Sequence, residues 1–186
     1  MKNKKILRIT FTGLMAALVF AASYMRIIIP LSIGSNTAAI HFGNIFCVLS
    51  GFLLGPLYGG FAAGIGSALY DLTNPLYFSS MPFTLVFKFL IAFVCGKVAY
   101  SKNRNAASLN MNIAAAALGM LTYLILYLGR NFFNNMFFLK LQLMPSLVMM
   151  GQQALASGVN ALLAVTVSAP VFFMIKKALD KNNISL

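Results

Sequence analysis

The segment His41–Lys88 reads HFGNIFCVLSGFLLGPLYGGFAAGIGSALYDLTNPLYFSSMPFTLVFK, and the rest of the chain is interpreted around it. It is almost wholly apolar, it is rich in glycine, and a Gly55-Pro56 pair interrupts it. It also contains Asp71, one of only two acidic residues in the chain. Small residues at close spacing let apolar helices pack tightly in a membrane. We therefore expect a tight hairpin of two membrane helices that turns at Gly55-Pro56.

The composition of the whole chain indicates a membrane protein. Hydrophobic residues make up 60% and charged residues 9%, whereas about a quarter of the residues of a globular protein are charged. The apolar runs approach the length of a membrane span, and they lack the alternation of a transmembrane β-barrel. We predict an all-α, polytopic six-helix bundle that forms one transmembrane domain over residues 1–186. The predicted spans cover residues 11–29, 40–54, 57–72, 82–98, 113–128 and 146–170.

The positions of the cations predict the orientation. Ten of the 14 lysines and arginines lie in the N-terminal segment, after the fourth predicted span, or at the C-terminus. Cytoplasmic loops carry such an excess, so both termini are predicted to be cytoplasmic. We therefore attribute the net charge of +12 to cations that lie next to membrane lipid, and we predict no nucleic-acid partner. The charged residues that do not follow this rule are predicted to gather at the outer end: Arg26, His41, Asp71, Lys88, Arg130 and Lys140.

Several of these polar residues are candidates for a binding site, because ionisable groups inside a membrane are costly. Lys88 lies inside the fourth span and Asp71 closes the third from the same side. The two form either a structural ion pair that joins the helices or part of a ligand site, and both interpretations remain open. His41 is expected at a helix start, with Asn44 one turn later. On the last helix, Gln152 and Asn160 are predicted to share one face.

The motifs of several protein classes are missing from the sequence. There is no P-loop, no metal-binding spacing and no nucleophile elbow. With only two carboxylates, acid–base catalysis by a carboxylate pair is not available. We predict no enzymatic activity, no catalytic residue, no cofactor and no metal. The class that remains after these exclusions is a small membrane protein that binds a ligand and has no energy source of its own.

Small residues recur on the first predicted helix at Gly13, Ala17 and Ala21. Their four-residue spacing puts them on one face, where another helix can approach closely. The stripe serves either internal packing or docking to a partner protein.

Four motifs together resemble a known family. They are His41-Phe-Gly-Asn44, Gly51–Gly60, Gly64-x-Gly66-x-x-x-x-Asp71 and Pro82-Phe-Thr84-x-x-x-Lys88, with Gly96 further along. They resemble the S components, the substrate-binding membrane subunits of energy-coupling factor (ECF) vitamin transporters. The nearest branch contains the riboflavin, hydroxymethylpyrimidine and vitamin B6 type proteins.

This resemblance implies a function. Such a protein would bind a vitamin at the outer side of the bundle, in the plasma membrane of a bacterium. It would dock through Gly13, Ala17 and Ala21 onto a transmembrane T component carried by two ATP-binding subunits. The loops Pro30–Ala39, Thr73–Ser80 and Asn131–Met144 would cover the ligand, with the first as a lid. The candidate substrate contacts are Lys88, Arg130, Tyr77, Gln152, Asn160, His41 and Asn44, and Asp71 would be a structural partner of Lys88. The competing interpretation is a membrane scaffold or assembly protein without a small ligand.

Overall fold

The computed structural model describes residues 2–30, 37–101, 106–182 and 184, and most of them are helical. Within these residues, five helices are long and apolar enough to cross a membrane. Many of their large apolar side chains face outward, as expected for contact with lipid. The elements are α1 (Lys2–Tyr24), β1 (Arg26–Pro30), β2 (Thr37–His41), α2 (Gly43–Thr73), a 3-10 turn (Phe78–Ser80), α3 (Met81–Ala99), α4 (Leu109–Phe133), a π-helical turn (Asn134–Phe138) and α5 (Leu143–Lys181).

Helix α2 folds back on itself at Gly55. This residue has φ 76° and ψ −174°, a conformation open to glycine because it lacks a Cβ atom. The hydroxyl oxygen of Ser50 lies 2.9 Å from the carbonyl oxygen of Gly59. In a straight helix, nine residues would separate the two by about 13 Å. The Gly55-Pro56 turn expected from the sequence is therefore present, and it makes α2 a hairpin of two helical halves.

Glycines allow the close contacts of this hairpin. A Cβ atom on Gly59 would collide with the backbone of Ser50 and Gly51 in the other half. A Cβ atom on Gly66 would collide with the backbone carbonyl of Ala16 on α1. The α2 hairpin thus forms the centre of the bundle, with α1 and α3 packed against it.

The first span was predicted over residues 11–29, which extends beyond the C-terminal end of the helix in the structure. Helix α1 ends at Tyr24, and residues 26–30 form strand β1, which pairs antiparallel with β2 in the register Arg26↔His41. The three isoleucines of β1 are β-branched and favour an extended backbone. The bundle is therefore helical except for a two-stranded hairpin, and His41 lies in a strand instead of starting a helix. Of the predicted lid Pro30–Ala39, residues 31–36 lie outside the described residues.

The segment Asn131–Met144 also differs from the loop that was expected there. Its first residues continue α4 to Phe133, and the π-helical turn follows directly. The amide of Leu139 donates to the carbonyl of Asn134 over 3.0 Å, which closes that turn. Lys140 then has a positive φ of 50°, and α5 begins at Leu143. The polar asparagines of this segment are thereby held on a helical framework.

Candidate ligand-binding site

A cavity of about 380 Å³ lies at the end of the bundle opposite the Gly55 turn. The β1–β2 hairpin, the end of α2, the start of α3, the end of α4, the π-helical turn and α5 all contribute to its wall. Its volume is within the range of small-molecule sites. Six of the residues predicted for the site or the ion pair line it: His41, Asp71, Tyr77, Lys88, Arg130 and Asn160.

One wall of the cavity is aromatic. Tyr123 and Tyr127 lie one turn apart on α4, and their rings are nearly parallel, with centroids 5.6 Å apart. Phe83 and Phe87 on α3 and Tyr77 complete this wall. Aromatic surfaces of this kind can stack against a flat ring. The sequence did not single out Tyr123 or Tyr127, because aromatic residues are common in apolar helices.

Lys88 lies deep in the cavity wall. Its side chain is 6% exposed, its ammonium group donates a hydrogen bond to Asn44 Oδ1, and it lies 4.2 Å from the centre of the Tyr123 ring. Asn44 is fully buried and is not part of the cavity lining. Asn44 was predicted as a substrate contact. In the structure it orients Lys88 from behind the cavity wall.

Asp71 and Lys88 do not form the predicted direct ion pair in the part of the chain that the structure describes. Each side chain makes another contact. Lys88 bonds Asn44, while the buried carboxylate of Asp71 lies beside the hydroxyl group of Thr84. The two charges still interact across the cavity wall. The sequence placed both residues at the same end of the bundle, but it could not predict the direction of each side chain.

Two arginines extend over aromatic rings at the cavity. The Arg130 guanidinium lies 4.5 Å from the centre of the Phe83 ring and donates to Ser80 Oγ over 3.1 Å. Arg26, at the start of β1, lies over the ring of Tyr77 at 5.2 Å. The sequence predicted Arg26 only as one of the charged residues at the outer end of the bundle. Its position in the cavity wall follows from the strand that the sequence analysis did not predict.

Amide side chains form a third part of the wall. Gln153 lines the cavity and accepts a hydrogen bond from Asn131 Nδ2 over 2.9 Å. The predicted contact Gln152 is not part of the lining, because successive residues of a helix point about 100° apart. Asn134 and Asn135, on the π-helical turn, line the cavity and were missed. Such turns are frequent at functional sites, but the sequence does not reveal them.

Asn160 on α5 holds the β1–β2 hairpin. Its Oδ1 accepts from the backbone amide of His41 over 2.9 Å, and its Nδ2 donates to the carbonyl of Ala39 over 2.8 Å. The side chain thus pairs with β2 as a neighbouring strand would. Asn160 was predicted as a ligand contact. The structure gives it a second role, which is to position the hairpin over the cavity.

His41 is neutral at physiological pH. Burial, followed by the nearby cations Lys88 and Arg26, lowers the pKa of His41 to about 3. Its Nδ1 atom is buried and has no hydrogen-bond partner among the described residues. His41 therefore adds a polar but uncharged group to the cavity wall.

The small-residue stripe of α1 lies outside the bundle. Gly13, Ala17 and Ala21 are exposed, while Met15 and Val19 on the other face are buried. A Cβ atom added at Gly13 would meet no described atom within 4 Å. The stripe therefore does not serve packing within the described residues.

Comparisons with known proteins bear on this site. A family model described as "ECF-type riboflavin transporter, S component" matches residues 3–178 of this chain. A curated protein of Pyrococcus woesei, described as "Uncharacterized protein in gap 3'region", is 44% identical over 68 residues. That match covers 37% of this chain and 45% of the relative, so the chain spans less than half of the length of the relative.

Proposed function

Because the chain belongs to the family of S components of ECF-type riboflavin transporters, we propose that it is the substrate-binding subunit of an importer for a riboflavin-type vitamin. The observation that carries this proposal is the cavity of about 380 Å³. It combines an aromatic wall, amide groups and cations at one end of a bundle of apolar helices. The family is one of transporters and not of enzymes.

Each part of the cavity wall suits a different part of such a vitamin. A flat heteroaromatic ring fits along Tyr123 and Tyr127, where stacking contributes about 0.5–1.5 kcal/mol beyond the buried area. The amides of Asn135 and Gln153 offer donors and acceptors to the polar edge of that ring. The hairpin, held by Asn160, covers the ligand.

The energy for transport would come from other subunits. The sequence contains no P-loop, so a T component with two ATP-binding subunits would drive the import. Gly13, Ala17 and Ala21 form an exposed stripe on which a helix of the T component can pack closely. In this arrangement the chain crosses a bacterial plasma membrane six times, with the two halves of α2 as separate crossings and both termini in the cytoplasm.

Uptake by cells tests this proposal. A riboflavin-auxotrophic bacterium without an importer of its own would receive this chain alone, an ECF module alone, or both. We expect growth on low riboflavin only when both are present, because binding and ATP hydrolysis reside in different subunits. If cells with both show no uptake of riboflavin or of any other water-soluble vitamin, the transport function is wrong and the scaffold interpretation is favoured.

A further inference from the structure

The charges that line the cavity do not balance. Three cations, Arg26, Lys88 and Arg130, share it with one carboxylate, that of Asp71. The only other acidic residue of the chain is Asp180. Asp180 lies twenty residues beyond Asn160 on α5, about 30 Å along the helix. No second side-chain carboxylate of this protein therefore reaches the cavity.

Lys88 is the most deeply buried of the three cations. An ammonium group has three N–H donors, and Lys88 directs one of them to Asn44. Among the described residues it has no other hydrogen-bond acceptor, and the Tyr123 ring covers one side of it. Asp71 lies in the same cavity wall but makes no hydrogen bond with Lys88 among the described residues. A buried ammonium group whose N–H donors lack acceptors is unfavourable by several kcal/mol in proteins.

The two arginines differ from Lys88 in their surroundings. Both are only partly buried, both lie over aromatic rings, and Arg130 also donates to Ser80. Guanidinium groups that are partly open to solvent keep part of their hydration and therefore depend less on a counterion. The position with an unmet requirement for negative charge is therefore that of Lys88, beside the ring-stacking surface of Tyr123.

We infer that this cavity prefers ligands with an anionic group, a carboxylate or a phosphate, that accepts hydrogen bonds from Lys88 while the ring of the ligand lies along Tyr123. This inference rests on the proposed function and ranks its ligands: an anionic heteroaromatic compound should bind more tightly than its neutral counterpart. It follows from the charge of the cavity and not from membership of the family.

Pairs of compounds that differ in charge test the inference. The purified, detergent-solubilised protein is titrated by calorimetry with riboflavin and riboflavin 5′-phosphate, nicotinamide and nicotinate, and pyridoxine and 4-pyridoxate. In any pair that binds, we expect the anionic member to bind at least about tenfold more tightly. Lys88→Met should reduce this preference to about twofold or less. Lys97→Met, the same change at the exposed end of α3, should retain it.

Two results would overturn the inference and leave the proposed function intact. One is binding of a neutral member as tightly as, or more tightly than, its anionic partner. The other is a preference for the anion that persists in Lys88→Met, since the anionic group would then lie elsewhere. If no compound binds, the inference fails, and the uptake experiment decides separately whether the proposed function fails as well. The comparison on the wild-type protein holds even if Lys88→Met cannot be purified.

Discussion

Replacing Asn160 with leucine should release the β1–β2 hairpin from α5. Phe42 donates to the carbonyl of Met25 over 3.2 Å, which makes these two a hydrogen-bonded pair of the antiparallel hairpin. The polar backbone groups of Ala39 and His41, at alternate positions, therefore point away from β1. Asn160 satisfies two of these groups, the carbonyl of Ala39 at 2.8 Å and the amide of His41 at 2.9 Å.

The structure gives the size of this effect. A hydrogen bond in a protein contributes about 1 kcal/mol net, so the loss of two should shift the opening equilibrium of the hairpin by about 2 kcal/mol. This is about 30-fold in the equilibrium constant. The affinity for riboflavin should fall as well, because only the closed fraction of molecules binds it with full strength.

Hydrogen–deuterium exchange, read by mass spectrometry, measures this opening. In Asn160→Leu, the backbone amides of β2 should exchange about 30-fold faster than in the wild type. Thr166→Leu is the matched control, because Thr166 is exposed on the same helix and its hydroxyl bonds only within that helix. Unchanged exchange of β2 together with weaker riboflavin binding would refute the reasoning, since Asn160 would then act as a ligand contact alone.

Three further changes have defined outcomes. Ala17→Leu, on the exposed stripe, should abolish vitamin uptake in cells but leave the vitamin affinity of the isolated protein unchanged. A loss of affinity as large as the loss of uptake would contradict a docking role. Because the pKa of His41 is lowered to about 3 from 6.5, the unfolded chain binds the extra proton, and stability is lost as the pH falls below 6.5. The loss of stability should reach at most about 2 kcal/mol near pH 5. In His41→Gln, the melting temperature should therefore depend less on pH between 6.5 and 5. The same pH dependence in the variant and the wild type would contradict the lowered pKa of His41. Gly66→Val forces atoms against the Ala16 carbonyl and should lower the stability by about 1–3 kcal/mol. Gly151→Val is the control, because that position is open. Similar melting temperatures of the two variants would contradict the close contact between α2 and α1.

The sequence predicted the features that depend on residue type. Glycine followed by proline in an apolar run predicts a turn, and the backbone of Gly55 has the corresponding conformation. Lys88 and Arg130 interrupt apolar helices, where charge is costly. Both line the cavity for that reason.

The features that depend on distant partners could not be predicted. Ile27, Ile28 and Ile29 extend the apolar run of α1, and only pairing with β2 makes them a strand. Gln152 and Gln153 are adjacent in sequence, and the packing of α5 decides which one faces the cavity. These differences concern the direction and pairing of side chains, which sequence patterns do not encode.

A direct test of the central claim is native mass spectrometry of the purified protein, with and without a bulky residue in the cavity. Ser157 lines the cavity and is 7% exposed, whereas Leu155, on the same helix, is 75% exposed. We expect the wild type and Leu155→Trp to retain one vitamin-sized molecule per chain after incubation with a vitamin mixture, and Ser157→Trp to retain none. Retention by none of the three proteins, or equal retention by Ser157→Trp, would contradict the claim that this cavity binds a vitamin.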